Sequence, residues 1–296
     1  RIAMPAKSAP VVVLLGWVSR GVSRVFQGTV DDVRASCARG GGRTLRISAK
    51  GFDDAEDKAK EPLEFHKDDA TLQDFLGEAA KKAGLSFQAH GELGKVKRDY
   101  WLAGTESFIQ LGHRIAREVG ATFKIIDKKG VMVPRNGGQS ASGASLSTVR
   151  AVWGDNLITA DVAPIEIAPR FEQVRARWFD VEKAKWMEEK VGVEVPGWKS
   201  KATDTARVVR TDKDEAKDQT TSDKKTSERE AGSGTVKIVG EPSAQPEGLC
   251  VLVGARPGID GAYRIDGVTH DLDRSSGFVT TLELKQPQSG AGTDSR

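Results

Sequence analysis

The two ends of this chain spell out the same order of structural signals. Near the start, Leu14-Leu15-Gly16 leads through a turn at Ser19-Arg20-Gly21 into Arg24-Val25-Phe26-Gln27-Gly28-Thr29-Val30. A strand follows in which Leu45, Ile47 and Ala49 alternate with Thr44, Arg46 and Ser48. Near the end, Leu252-Val253-Gly254 leads through Pro257-Gly258-Ile259-Asp260-Gly261 into Tyr263-Arg264-Ile265-Asp266-Gly267-Val268, and then into an alternating strand through Phe278, Thr280, Leu282 and Leu284. The paired glycines, Gly16/Gly28 and Gly254/Gly267, stand 12 and 13 residues apart. A period of two marks a strand with one buried face. A glycine inside a strand marks a bulge or a sharp bend of the kind that curves a sheet. Two unrelated β-hairpins could look this alike, but the duplicated order is better explained by two similar small barrels.

A chain of 296 residues is a prior for two domains or three small ones. The 32 glycines and 6% aromatics favour short elements and many turns. With 45 Lys and Arg against 42 Asp and Glu, the net charge is only +3, which supplies no strongly basic field for nucleic acid. No stretch approaches the apolar length of a helical membrane span. Val11-Val12-Val13-Leu14-Leu15 is too short for a signal peptide and runs into a strand pattern. Two cysteines, Cys37 and Cys250, cannot build a disulfide framework, and a reducing compartment is expected.

The pattern divides the chain as follows. Residues 1–61 read as a first barrel. Residues 62–136 read as an α/β module, with one helix from Leu72 to Ala83 capped by Asp69 and stopped by Gly84, and a second opened by Thr105 and closed by Gly120. Phe87–Ala89, Phe123–Ile126 and Val131–Val133 are short strand candidates. Residues 137–147 are a flexible Gly/Ser/Ala connector. Residues 148–200 carry strands of a second barrel region, in which Trp153, Trp178, Trp186 and Trp198 are expected to pack. Residues 201–233 are a charged helix or linker. Arg207–Glu230 holds seven basic and seven acidic side chains without Gly or Pro, which favours a solvated helix on the outer face. Residues 234–288 complete the second barrel, and 289–296 are expected to be a disordered tail.

Two runs carry a family resemblance. Leu15-Gly16-Trp17 with Val25-Phe26-Gln27-Gly28-Thr29-Val30-Asp31-Asp32-Val33 resembles the first barrel of the phage late control protein D family. Gly254-Ala255-Arg256-Pro257-Gly258-Ile259-Asp260-Gly261, Val268-Thr269-His270 and Gly277-Phe278-Val279-Thr280-Thr281-Leu282 resemble its second barrel. Thr71-Leu72 and Trp178-Phe179-Asp180 also fit, so the resemblance covers roughly residues 10–286. Its motifs are structural, and the shared order of all of them is what points to the family. Such proteins are central hubs of contractile tails, similar to the body of VgrG proteins in type VI secretion. The resemblance implies an α+β, mainly β fold: two similar tube-like β-barrels with an inserted α/β module and a charged helical crossover. It further implies a homotrimer whose six barrels surround a channel and join a sixfold tail tube to a threefold spike. The implied partners are further copies of the chain, the tail tube protein, the central spike protein and other baseplate proteins. No specific nucleic-acid binding is implied beyond passage of DNA through the channel. The implied location is the baseplate of a virion tail or tail-like particle, assembled in the bacterial host cytoplasm. The chain begins at Arg1 rather than Met and lacks the first strands of barrel one, so an N-terminal piece is expected to be missing; without it barrel one could not close.

No catalytic, cofactor-binding or metal-ligating residue is expected. His66, His90, His113 and His270 are scattered, without His or Cys at ligand spacing. His113 is expected to pack on its helix, and His270 to pack a hairpin. Asp53-Asp54-Ala55-Glu56-Asp57 lacks the alternating ligands and central Gly of a calcium loop. Gly40-Gly41-Gly42-Arg43 leads into a strand rather than the helix a phosphate loop needs. Gly-X-Ser-X-Gly does not occur. Arg24, Arg46, Arg175 and Arg264 are candidates for a channel lining or subunit seams, with plain solubilising surface as the alternative. The competing function is a cell-wall-degrading or cell-wall-binding tail module, which would need a catalytic constellation or a further domain.

Overall fold

The alternation at the start builds an antiparallel meander of β1 (Pro10–Trp17), β2 (Gly21–Ala38) and β3 (Gly42–Lys50), in that order. The computed structural model describes residues 3–51, 57–126, 128–165, 171–193 and 202–293; Asp53, Asp54 and Glu56 of the acidic cluster, Trp198 and the last three residues lie outside them. β1 pairs with the first half of β2, from Trp17↔Gly21 to Pro10↔Thr29, and β3 with the second half, from Lys50↔Thr29 to Gly42↔Ala38. Beyond Thr29, β2 and β3 therefore continue alone as a two-stranded ribbon. Gly28 sits where the three strands meet, and a Cβ there would fall 2.0 Å from the Lys50 carbonyl oxygen. Among the meander's described residues only Val30 is buried.

The meander belongs to a first compact unit, Arg1–His113 with Phe123–Met132; the second comprises Arg114–Thr122 and Val133–Arg296. An α/β module follows, of β4 (Leu63–Thr71), α1 (Leu72–Lys82), β5 (Ser86–Ala89), α2 (Gly91–Gly94), β6 (Lys97–Glu106), α3 (Phe108–Glu118), β7 (Ala121–Ile126) and β8 (Lys129–Pro134); all of it belongs to the first unit except Arg114–Thr122 and Val133–Pro134, which belong to the second. β4 pairs with β6, and β5-β8-β7 form a second small sheet. The apolar faces of both long helices are buried through Leu72, Phe75, Leu76, Phe108 and Leu111. Phe75 stacks on Trp101 with ring centroids 5.5 Å apart, and Trp101 Nε1 donates to the Ala70 carbonyl at 2.9 Å.

The helix starts differ from the sequence expectation. Thr71, not Asp69, caps α1, its hydroxyl accepting from Asp74 N at 3.2 Å. Ser107, not Thr105, caps α3, in a reciprocal box with Gln110 at 3.3 and 3.0 Å. Asp69 and Thr105 have positive φ, 50° and 58°, which a helix-initiating residue in extended conformation cannot have.

The second unit contributes β9 (Thr148–Val152), β10 (Leu157–Ala163), β11 (Gln173–Asp180), β12 (Lys185–Gly192), β13 (Thr203–Thr205), α4 (Lys213–Arg229), β14 (Ser233–Val239), β15 (Leu249–Val253), β16 (Gly261–Asp273) and β17 (Gly277–Pro287). Six strands form one sheet in the order β10-β14-β17-β16-β15-β9. Its two edge strands, β9 and β10, are consecutive in the chain and joined by residues 153–156. Asn156 fixes that join: its Oδ1 accepts from Val152 N and its Nδ2 donates to the Arg150 carbonyl, both at 2.8 Å. The sheet must curl to bring its edges one turn apart. Ile238, Leu252, Tyr263, Ile265, Leu282 and Leu284 form a buried apolar core. β15-β16-β17 is an antiparallel meander like β1-β2-β3, with a register shift at Ile265/Gly267. Residues 289–293 are not a disordered tail: Ala291 is buried, and Gly292 N donates to the Gly258 carbonyl at 3.0 Å. Gly261 makes room for this return, since a Cβ there would fall 2.3 Å from Ala291 N.

Candidate functional site

The densest set of charged groups in the second unit surrounds α4. Asp212 opens the helix, its carboxylate accepting from Glu215 N at 2.9 Å, while Thr211 donates to the Glu215 carboxylate at 2.6 Å. The stretch is a helix, as its sequence favours, but not a solvated one. Ala216, Thr220 and Ser222 are buried, and Ala216 packs with Ala176 and Trp178 of β11. Small and hydroxyl-bearing residues do what an apolar stripe does elsewhere, because each hydroxyl finds a carbonyl. Thr220 donates to Lys217 O at 2.9 Å, and Thr226 to Ser222 O at 3.0 Å. Ser222 donates to Arg117 O at 2.5 Å, and Lys225 Nζ to Gly120 O at 3.2 Å. The first of these satisfies a carbonyl in the last turn of α3, and the second adds to the Arg135 N–H already on Gly120 O just past the helix.

At its C-terminal end α4 is held by ion pairs. Arg229 Nη1 lies 2.8 Å from Glu247 Oε1 and Nη2 lies 2.5 Å from Asp266 Oδ1. Glu247 is only 4% exposed and also accepts from Thr122 Oγ1 and Asn136 N, each at 3.2 Å. Arg264 donates to the carbonyls of Glu247 and Asn136 at 3.0 and 3.1 Å. Arg135 reaches Thr226 Oγ1 at 2.8 Å. Burial pulls the guanidinium pKa values of Arg264 and Arg135 down, with the neighbouring Arg229 adding to the effect. Glu247 is held by Arg229, Thr122 and Asn136, and Asp266 by Arg229. The arrangement fastens the C-terminal end of α4.

The structure scatters the residues singled out by sequence. His66 stacks on Tyr100, His113 packs edge-on against Phe123, and His270 Nδ1 lies 2.9 Å from Thr280 Oγ1 across β16 and β17. Among the described residues, no three His, Cys, Asp or Glu side chains gather as metal ligands. Gly40-Gly41-Gly42 is the β2–β3 turn, with Gly40 and Gly42 at φ +86° and +79°. Of the tryptophans, Trp178 packs as expected, and Trp186 packs edge-on against Phe179 at 5.4 Å while staying 59% exposed; Trp153 is 63% exposed. Arg264 is buried in the α4 network, and half-buried Arg175 is engaged by Thr205 and Glu188. Arg24 and Arg46 are exposed.

No family model matches the chain, and no curated protein matches it. Solved structures do. The tail protein from Neisseria meningitidis MC58 matches with TM-score 0.65 and 20% identity, over 91% of this chain and 82% of that one. The 43 kDa tail protein of prophage MuSo2 from Shewanella oneidensis gives 0.64 and 17%, over 88% and 78%. An E. coli type VI secretion component, itself described as similar to the T4 bacteriophage tail proteins gp27 and gp5, gives 0.50 and 10%, over 96% and 66%. The chain has the fold of these tail proteins. The α4 network was not legible beforehand, because its members are 136, 229, 247, 264 and 266, far apart in the chain and ordinary in type. The nearest signal was the absence of Gly and Pro across a fully charged stretch.

Proposed function

We propose that the chain is a structural baseplate hub of a contractile phage tail or tail-like injection particle, adapting a sixfold tube to a threefold spike. The observation that carries this reading is the tail-protein fold, matched over nine-tenths of the chain at TM-score 0.65. The duplicated meander supports the finer geometry. Two similar barrels per subunit give six in a ring of three, because head-to-tail contacts of this kind close when the rotation closes. On this reading the chain binds itself, the tube protein, the spike protein and other baseplate proteins, and resides in the tail baseplate after assembly in the host cytoplasm. Arg24, Arg46 and Arg175 remain candidates for a channel lining or seam. The role is structural rather than catalytic. Native mass measurement of the chain with its tube and spike proteins should give three copies per spike; a monomer or dimer in the assembled particle would overturn the hub reading. A zymogram on purified peptidoglycan should stay blank, and a lysis band would favour the wall-degrading alternative.

A further inference from the structure

We infer that the β2–β3 ribbon is a docking arm for a partner protein whose apolar groove is rimmed by Asp and Glu. Between Val30↔Ala49 and Ala38↔Gly42 the two strands pair only with each other, a reach of about 25 Å at strand rise. The register assigns one face to Val33, Ala35, Cys37, Leu45 and Ile47, with Arg43 opposite Cys37 at its tip end, and the other to Asp32, Arg34, Ser36, Thr44, Arg46 and Ser48. The apolar face is only partly covered by the described residues: Val33 and Leu45 are half-buried, whereas Ile47 is 45% exposed and Ala35 and Cys37 are exposed too.

The charges tell what kind of surface would cover it. The ribbon's two acids are already used, Asp31 by Lys50 at 3.2 Å and Asp32 by Arg34 at 2.7 Å. Arg39, Arg43 and Arg46 have no anionic partner among the described residues, and they cluster toward the ribbon's tip. Arg46 stands directly opposite Arg34, whose own charge Asp32 already balances, so Arg46 is left without an anion of its own. Three uncompensated guanidiniums call for carboxylates. The apolar strip beside them decides between anionic partners. Protein interfaces combine an apolar centre with Arg and a charged rim, whereas nucleic-acid interfaces are polar and strongly basic throughout. This holds whether or not the chain is a tail hub, since it concerns one exposed ribbon and not the assembly.

The test uses the full chain and four probes: a fluorescent peptide of glutamates with interspersed leucines, an all-glutamate peptide of equal length, a DNA duplex and anionic phosphatidylglycerol vesicles. Cys37 reports the location, because it lies on the apolar face and is exposed, while Cys250 is fully buried with its thiol pushed up to about 12 and stays silent. The mixed peptide should bind roughly tenfold more tightly than the all-glutamate peptide or the duplex, and should protect Cys37 from maleimide. Replacing Arg39, Arg43 and Arg46 with Gln should weaken it by at least about tenfold, and I47S should erase its advantage over the all-glutamate peptide. All four positions are exposed, so a matching thermal melt will confirm that the variants are folded. Equal binding of duplex or vesicles, no binding of either peptide, or self-association that masks Cys37 would each overturn the proposal.

Discussion

The two meanders share strand order and antiparallel pairing yet differ in what lies against them. β15-β16-β17 continues into β14, β10 and β9, and the curled sheet buries Tyr263, Ile265, Leu282 and Leu284 at 1% exposure or less. β1-β2-β3 stops at three strands, with Val12, Leu14 and Val22 each more than half exposed. Three strands without a packed face are at the margin of independent stability. The same local pattern thus supports a core in one place and an open surface in the other. Alternation fixes which face is apolar; it does not fix what covers that face.

The largest effect should come from testing that contrast directly. Leu282→Ala removes a fully buried side chain from the second core and should cost about 3–5 kcal/mol in denaturant unfolding. Leu14→Ala, at the matching level of apolar patterning but 56% exposed, should cost no more than about 0.5 kcal/mol. Equal costs would mean that the first meander has a core of its own.

Next in size is the tie that only the second meander has. Asp266 of β16 and Glu247, just before β15, are both bound to Arg229 of α4. Arg229→Met should cost about 2–3 kcal/mol, because it leaves a buried carboxylate short of its main cation. Adding Glu247→Gln should recover part of the loss. Simple additivity of the two substitutions would show that the contact is not energetically coupled.

The third effect separates the paired glycines. At Gly28 an added Cβ would strike the Lys50 backbone oxygen at 2.0 Å, and backbone cannot step aside without breaking the ladder. At Gly267 the obstacle is Glu283 Oε2 at 2.8 Å, the free end of a side chain that can swing away. Gly28→Ala should therefore cost about 1–3 kcal/mol, read as faster hydrogen exchange in β1 to β3, and Gly267→Ala less than about 1 kcal/mol. The reverse order would mean that the two glycines are not structural counterparts.

These residues also show what could be read from sequence. Leu45/Ile47/Ala49 and Phe278/Thr280/Leu282 announced their strands, because a period of two is a local signal. β4 and β6 were missed, since Leu63–Thr71 and Lys97–Glu106 mix charges into the alternation and are completed by each other rather than by their own pattern. α4 was foreseen as a helix but expected on the outside. Burial by Ala, Thr and Ser leaves no hydropathy signal, and the carbonyls that accept from Ser222 and Lys225 lie more than 100 residues away. Trp153 misled for the opposite reason: its size argues for a core, yet packing depends on neighbours that the sequence does not specify.

The smallest expected effect concerns the residue three positions past each glycine, which is Asp31 in the first meander and His270 in the second. Asp31 pairs with Lys50 at the surface. His270 instead lies half-buried against Phe278, ring centroids 5.7 Å apart, with Nδ1 2.9 Å from Thr280 Oγ1. That hydroxyl already accepts from Glu241 N at 2.8 Å, so its own hydrogen is available to Nδ1 of a neutral imidazole. Burial holds the His270 pKa below its ordinary value, against the opposing pull of Asp271 and Glu241. A lowered folded-state value means that the unfolded chain binds the proton more readily. Stability from this site is therefore complete well above the ordinary imidazole pKa and falls as pH drops through that value toward the lower, folded one. The melting temperature of the wild type should lose more between about pH 8 and about pH 5 than that of His270→Gln, which has no titrating ring to charge. Parallel losses in the two proteins would mean that the imidazole is as easily protonated in the fold as out of it. The second meander would then be as indifferent to acid at this position as a surface strand.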